Sequence, residues 1–183
     1  MIDVGRLPPQ STDYDVVFSQ SDIERRVQEL GTEITQAYSA DEELLVLGLL
    51  KGSFIFVADL VRHIHRPLQV DFLVAASYGS GTVSSGNVKL LYDPEATLKD
   101  RAVLIVEDII DSGTTLSRVV PMLQARGPRS LAVCALLHKR KTTLDPEARW
   151  VGFDAPEEFL VGYGLDYSEQ LRHLSYIASI RKP

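Results

Sequence analysis

Residues 103–115, VLIVEDIIDSGTT, set four apolar residues against Glu107 and Asp108, place Asp111 three positions on, and end in small and hydroxyl residues. Ionised acids beside a buried strand are costly unless they meet water, donors or a cation, so this pair belongs at a strand's mouth. There, two adjacent carboxylates suit two tasks: accepting hydrogen bonds from vicinal sugar hydroxyls, and holding a Mg²⁺-bound sugar. The DSGTT run offers hydroxyls and free backbone N–H groups at a helix N-terminus, a ready site for a phosphate. A sugar phosphorylated at one end satisfies both halves. The alternative is a solvated strand end followed by Ser112 or Thr114 acting only as a helix cap. A nucleoside-triphosphate loop is disfavoured, since the segment holds neither G-x-x-x-x-G-K-[ST] nor a lysine.

The elements that must position these groups are legible around them. SDIE at 21–24 has a capping-box pattern, and Ile23, Val27, Leu30 and Ile34 recur at helical spacing. LLVLGLL, residues 44–50, is a short apolar strand leading to Lys51 and Gly52, and the SFIFVADLVRHIH that follows has helical periodicity through Phe54, Ala58 and Val61. VDFLVAAS and NVKLLYD read as two strands around YGSGTVSSG, a stretch too small and polar to pack and therefore expected as a mobile loop. After VLIVEDII, the residues Leu116, Val119, Val120 and Leu123 line one helix face that Gly127-Pro128 stops, with Pro121 expected to kink it or lie near its first turns. SLAVCALL is another continuous apolar strand, ending in HKRK, and WVGF around Trp150 is one more. Taken alone, EEFLVGYG reads as a strand with core aromatics and DYSEQLRHL as a surface helix. Continuous apolar strands separated by helices imply an α/β fold with a mostly parallel central sheet flanked by helices. Such sheets bind ligands outside the carboxyl ends of their strands, where LKG, EDIIDSGTT and HKRK are expected to share one crevice.

The bulk numbers fit one domain. The chain has 183 residues, 45% hydrophobic and 24% charged, with a net charge of −6 that argues against nonspecific nucleic-acid binding. No apolar run approaches the roughly 18 residues that span a bilayer, and the first residues show no secretory pattern, so a cytoplasmic protein without a membrane partner is expected. Cys134, the one cysteine, lies in an apolar run and reads as a small buried thiol. The HIH at 63–65 reads as a helix end rather than a metal site, and no role falls to His63, His65, His138 or His173.

The 103–115 segment closely resembles the 5-phosphoribosyl-1-diphosphate binding motif of type I phosphoribosyltransferases, and VEDIIDSG is the version of the hypoxanthine-guanine branch. LLKGSF at 49–54 resembles that family's diphosphate-binding loop, SYG at 77–79 the opening of its flexible lid, and LLHKR at 136–140 its purine-contacting lysine segment. FLVGYGLDYSEQLR at 159–172 is similar to its purine-stacking and metal segment. The order and spacing cover nearly the whole chain from about residue 15. The resemblance implies a single phosphoribosyltransferase domain over 1–183, with a core at about 40–145 and a small hood built from about 1–20 and 146–183.

The resemblance also implies roles. Glu107 and Asp108 would bind the ribose hydroxyls directly or through Mg²⁺. Asp111 would hydrogen-bond purine N7 as general base, and it would join Ser112, Gly113, Thr114 and Thr115 around the 5-phosphate. Some relatives carry lysine at position 114, so threonine leaves one positive charge fewer there. Lys51 and Gly52 would line the diphosphate site, where the family often has a cis peptide before the lysine, and Arg172 would grip the same group with its planar fork. Ser77 and Tyr78 would begin the lid. Lys139 would donate to purine O6, Phe159 would stack on the ring, and the Leu160 backbone would meet its far edge. Asp166 would ligate a Mg²⁺ on the diphosphate, so that the metal ligands would be Glu107, Asp108 and Asp166. The implied substrates are 5-phosphoribosyl-1-diphosphate and a 6-oxopurine, and the implied assembly is a homodimer or homotetramer. Two other classes stay open: a regulator of this fold that senses the sugar diphosphate and binds RNA, and a phospho-acceptor signalling domain.

Overall fold

The computed structural model describes residues 14–77, 88–140 and 148–180. Its main sheet has the order β4-β3-β2-β5-β6-β7, formed by β2 (Leu44–Leu50), β3 (Leu68–Ser77), β4 (Val88–Tyr92), β5 (Ala102–Ile110), β6 (Ser130–His138) and β7 (Trp150–Asp154). All neighbours are parallel except β4, which pairs antiparallel on the β3 edge. Three helices cover the faces: α1 (Gln20–Ala37), α2 (Phe54–Leu60) and α3 (Thr114–Gln124).

The continuous apolar strands are explained by burial on both sides. Leu44, Val46, Leu104, Val106, Cys134 and Leu136 pack with α1 and α2, while the alternating Leu45, Leu47, Val103, Ile105, Val133 and Ala135 pack with α3. A period of two with both faces covered explains why residues 44–50 and 102–106 are apolar throughout. Cys134 is buried, as expected.

A second sheet, β1-β9-β8, joins β1 (Tyr14–Phe18) to β8 (Leu160–Val161) and β9 (Ile177–Ile180), so it draws strands from both ends of the chain. It carries Leu160, the residue that follows Phe159.

The local structure departs from the sequence expectations at four places. The cap of α1 is Ser19, whose Oγ accepts from the Asp22 amide, so the box lies two residues before SDIE. In α2 the buried residues are Phe56, Val57 and Leu60, whereas Phe54 and Ala58 are exposed. The face was misjudged because the apolar run supplies candidates on every side of so short a helix. DYSEQLRHL forms turns instead of a helix, with isolated bridges Gly162–Leu165 and Tyr167–Gln170, and EEFLVGYG yields only the two-residue β8. Left-handed backbone at Tyr163, Ser168, Glu169 and Leu171 is incompatible with a helix there. Pro121 stands at the eighth position of α3, leaving the Ser117 carbonyl without its usual i+4 amide partner. The YGSGTVSSG loop lies outside the described residues.

Candidate active site

The crevice forms where the strand order reverses. Strands β2 and β5 are neighbours, but the chain runs from β2 outward to β3 and only later returns to β5, and ligands of open parallel sheets bind at such a switch point. Their ladder ends at Gly48 and Val106. Beyond it, β2 stays paired with β3 to Leu50, and β5 stays paired with β6 to Ile110. The two strands part, and Lys51 with Gly52 sits on one lip while Glu107 and Asp108 sit on the other.

β5 runs past its acids to Ile110, so Glu107 is a buried carboxyl within the strand and only Asp108 is partly open. Burial foremost, then the neighbouring Asp108 charge, holds the Glu107 carboxyl well above the usual carboxylate range. Among the described residues no group of three His, Cys, Asp or Glu side chains could hold a metal ion by itself. A hard, oxygen-seeking cation that takes one or two carboxylates and completes its shell with phosphate or sugar oxygens suits this donor set. Glu107 and Asp108 could hold such an ion against a sugar.

Asp108 also packs against the opposite lip. A Cβ at Gly52 would overlap its Oδ2, so a side chain where the β2 loop crosses the acid would push the carboxylate aside. The loop is fixed from beneath by Ser53, buried, whose Oγ donates to the Leu49 carbonyl at 2.7 Å. The peptide between Leu50 and Lys51 is cis. Gly164, at φ +101°, closes the other side, since a Cβ there would overlap the Gly52 carbonyl.

After β5 the chain turns through Gly113 in the left-handed conformation into the N-terminus of α3. Ser112 Oγ and Thr114 Oγ1 lie 2.9 Å apart at this turn. Asp111, Ser112 and Thr115 are exposed, and Gly113 and Thr114 are partly so. The first turn of the helix therefore offers amides and hydroxyls to an anion.

On the β6 side, the Lys139 amide donates to the Ile110 carbonyl at 2.9 Å, extending the β5–β6 pairing by one step. That step brings Lys139 Nζ to 3.4 Å from Asp111 Oδ2. The Lys139 side chain is only 9% exposed against 53% for Asp111, so its stem is packed and its ammonium emerges beside the acid. An ammonium donor next to a carboxylate acceptor matches the O6/N7 edge of a 6-oxopurine protonated at N7, where the ammonium donates to O6 and the carboxylate accepts from N7–H.

Phe159, half exposed, meets Tyr167 edge to face at 6.1 Å, and the adjacent Leu160 is buried in β8. In the following turns Arg172 pairs with Asp166 Oδ1 at 2.8 Å and donates to the Gly164 carbonyl at 2.8 Å. The Glu169 amide donates to the other Asp166 oxygen. Glu169 Oε2 also lies 3.0 Å from Lys51 Nζ and 3.3 Å from Arg172 Nη2. These two cations, Lys51 first, hold its carboxyl below the usual range.

The expected residues of the three strand ends thus meet around one crevice. Ser77 ends β3 opposite Val88 in the ladder, and Tyr78 lies outside the described residues. Sequence reasoning passed over Gly164 and Glu169. Gly164 stood in the quoted 159–172 segment as a second glycine two residues after Gly162, but its close approach to Gly52 is a tertiary fact. Glu169 stood inside the DYSEQLRHL segment read as a surface helix and carried no role of its own.

Residues 13–168 match the family model described as phosphoribosyl transferase domain. The chain belongs to the phosphoribosyl transferase family. It is 46% identical over 168 residues to the hypoxanthine phosphoribosyltransferase of Salmonella typhimurium, covering 91% of this chain and 94% of that one. It is 45% identical to the hypoxanthine-guanine phosphoribosyltransferase of Bacillus subtilis, covering 91% and 92%. Among solved structures, a hypoxanthine phosphoribosyltransferase from Staphylococcus aureus superposes with a TM-score of 0.86 at 39% identity, covering 93% of each chain. The Trypanosoma cruzi hypoxanthine phosphoribosyl transferase gives 0.87 at 34% identity over 95% of each. The fold of this phosphoribosyltransferase is α/β, with the mostly parallel sheet expected from its sequence.

Proposed function

We infer that the protein is a purine-salvage enzyme that transfers the 5-phosphoribosyl group of 5-phosphoribosyl-1-diphosphate to N9 of hypoxanthine or guanine, releasing diphosphate. The observation that carries this reading is the 3.4 Å pairing of Lys139 with Asp111 beside the α3 N-terminus. It sets a 6-oxopurine reader next to a phosphate cradle, and the family relationship supports the same reaction.

In the proposed complex the 5-phosphate lies against Ser112, Gly113, Thr114 and Thr115, and the ribose hydroxyls face Glu107 and Asp108. Asp111 accepts the purine N7 proton and acts as general base. Lys139 donates to O6, which admits an oxo group and refuses the amino group of adenine. Phe159 offers its exposed ring to the base, and the Leu160 backbone meets the ring's far edge. Lys51, Gly52 and Arg172 receive the diphosphate, whose departure they assist by spreading its charge. Ser77 and Tyr78 begin a lid that keeps water from the ribosyl centre.

The proposed cofactor is Mg²⁺, which Glu107 and Asp108 would hold with the sugar and Asp166 with the diphosphate. When bound, the ion neutralises phosphate charge and so favours loss of the leaving group. Among the described residues no side chain in the crevice is assigned the role of covalent nucleophile; positioning and electrostatics are the protein's part. The three-stranded sheet shared by residues 14–18, 160–161 and 177–180 supports one domain with its hood built from both ends. The proposed assembly is a homodimer or homotetramer in the cytoplasm.

The test is a steady-state assay with 5-phosphoribosyl-1-diphosphate and Mg²⁺ against hypoxanthine, guanine, xanthine and adenine. Nucleotide from the 6-oxopurines, none from adenine, and loss of activity with EDTA are expected. Binding of the sugar diphosphate without product from any base would favour a regulatory protein of the same fold.

A further inference from the structure

Glu169 stands where no side chain of the proposed reaction needs it. A single oxygen, Oε2, meets both Lys51 Nζ at 3.0 Å and Arg172 Nη2 at 3.3 Å, although Lys51 lies 118 residues away in the chain. We propose that Glu169 is a built-in stand-in for the diphosphate: its carboxylate holds Lys51 and Arg172 together in the free enzyme, and the sugar diphosphate displaces it on binding. This rests on the reading of Lys51 and Arg172 as the diphosphate cations.

Three features make Glu169 a removable occupant rather than a fixed strut. Its side chain is 62% exposed and that of Lys51 66%, so the contact can be exchanged for another anion without unpacking anything. Arg172 is anchored independently by Asp166 and the Gly164 carbonyl, so losing Glu169 leaves the guanidinium in place. Glu169 also sits at the tip of a two-residue turn closed by reciprocal Tyr167 and Gln170 hydrogen bonds of 3.0 Å. Both tip residues, Ser168 at φ +50° and Glu169 at φ +66°, have the left-handed backbone that such turns usually give to glycine or asparagine. Keeping a glutamate in that conformation aims its carboxylate back at the β2 loop, and backbone of this kind is retained where surrounding contacts hold it.

The consequence is competition. Without Glu169, a bare Lys51 beside an Arg172 still paired with Asp166 would attract phosphate or diphosphate, including the product, whereas the Glu169 carboxylate lowers that affinity and offers both cations a partner as diphosphate leaves. Removing the carboxylate should therefore tighten anion binding. Damage to the turn could only loosen it.

The experiment measures the diphosphate inhibition constant and the KM values of both substrates, at fixed Mg²⁺, for wild type, Glu169→Gln, Lys51→Ala and the double variant. Glu169→Gln should lower the diphosphate constant by about two- to five-fold, the range that exposed ion pairs contribute, with the purine KM unchanged. Lys51→Ala should raise it, and the double variant should lose the gain. An unchanged or raised constant in Glu169→Gln, with Lys51→Ala still raising it, would overturn the stand-in while leaving the diphosphate site. No effect of Lys51→Ala would overturn the diphosphate reading and the stand-in with it.

Discussion

The α-carbon of Gly52 lies against the Asp108 carboxylate, so that the two lips of the crevice touch at a point where only a hydrogen fits. Gly52→Ala should force the loop and the acid apart while leaving both core layers intact. Displacing a reacting group by about 1 Å can cost roughly 100-fold in rate, so kcat/KM should fall by about that factor with the far-ultraviolet circular dichroism unchanged. A variant retaining more than half of wild-type kcat/KM would show that this contact does not position the site.

Gly164 supports the same loop from the other side. Its φ of +101° and its contact with the Gly52 carbonyl both exclude a side chain. Gly164→Ala should raise the KM for 5-phosphoribosyl-1-diphosphate more than the KM for hypoxanthine, because it moves the diphosphate loop and not the β6 lysine. Steady-state kinetics with each substrate varied in turn would read the split.

Lys139 should govern base choice. Losing a charge-assisted hydrogen bond costs about 1.5–3 kcal/mol, or roughly 10- to 150-fold, so Lys139→Ala should raise the hypoxanthine KM by that order. The KM for the sugar diphosphate should stay near wild type. An equal rise in both would mean that the lysine holds up the site rather than reading the base.

How far the sequence reached is instructive at particular residues. The acids of β5, the glycine turn into α3 and the lysine after β6 were legible because each is a polar break at the end of a continuous apolar run. The corrected helix face of α2 was not, since a seven-residue helix whose only polar side chain is Asp59 carries no usable period. The turns at 162–172 were misread because positive backbone angles at Tyr163, Ser168, Glu169 and Leu171 fall on residue types that do not announce them. Contacts such as Glu169 to Lys51 are fixed by packing of segments far apart in the chain.

The interior also sets an alkaline limit. Burial pushes the Cys134 thiol up, and burial followed by the hydrogen bond to Asp59 pushes the Tyr163 phenol up. Groups with raised folded values keep protons that the unfolded chain releases, so their contribution is whole below the unfolded values and is lost as pH rises. Thermal stability should therefore decline above about pH 9, where free cysteine and then tyrosine ionise. Cys134→Ala should soften the first part of that decline, measured as Tm against pH. The native thiol should resist a disulfide reagent at neutral pH until the protein is unfolded.

The most direct test is the rate of nucleotide formation from hypoxanthine and 5-phosphoribosyl-1-diphosphate, both saturating with Mg²⁺, in wild type and Asp111→Ala. With Asp111 as the general base paired to Lys139, kcat should drop by about 100- to 10,000-fold. A variant within two-fold of wild type would contradict the assignment of the chemistry to the crevice between β2 and β5.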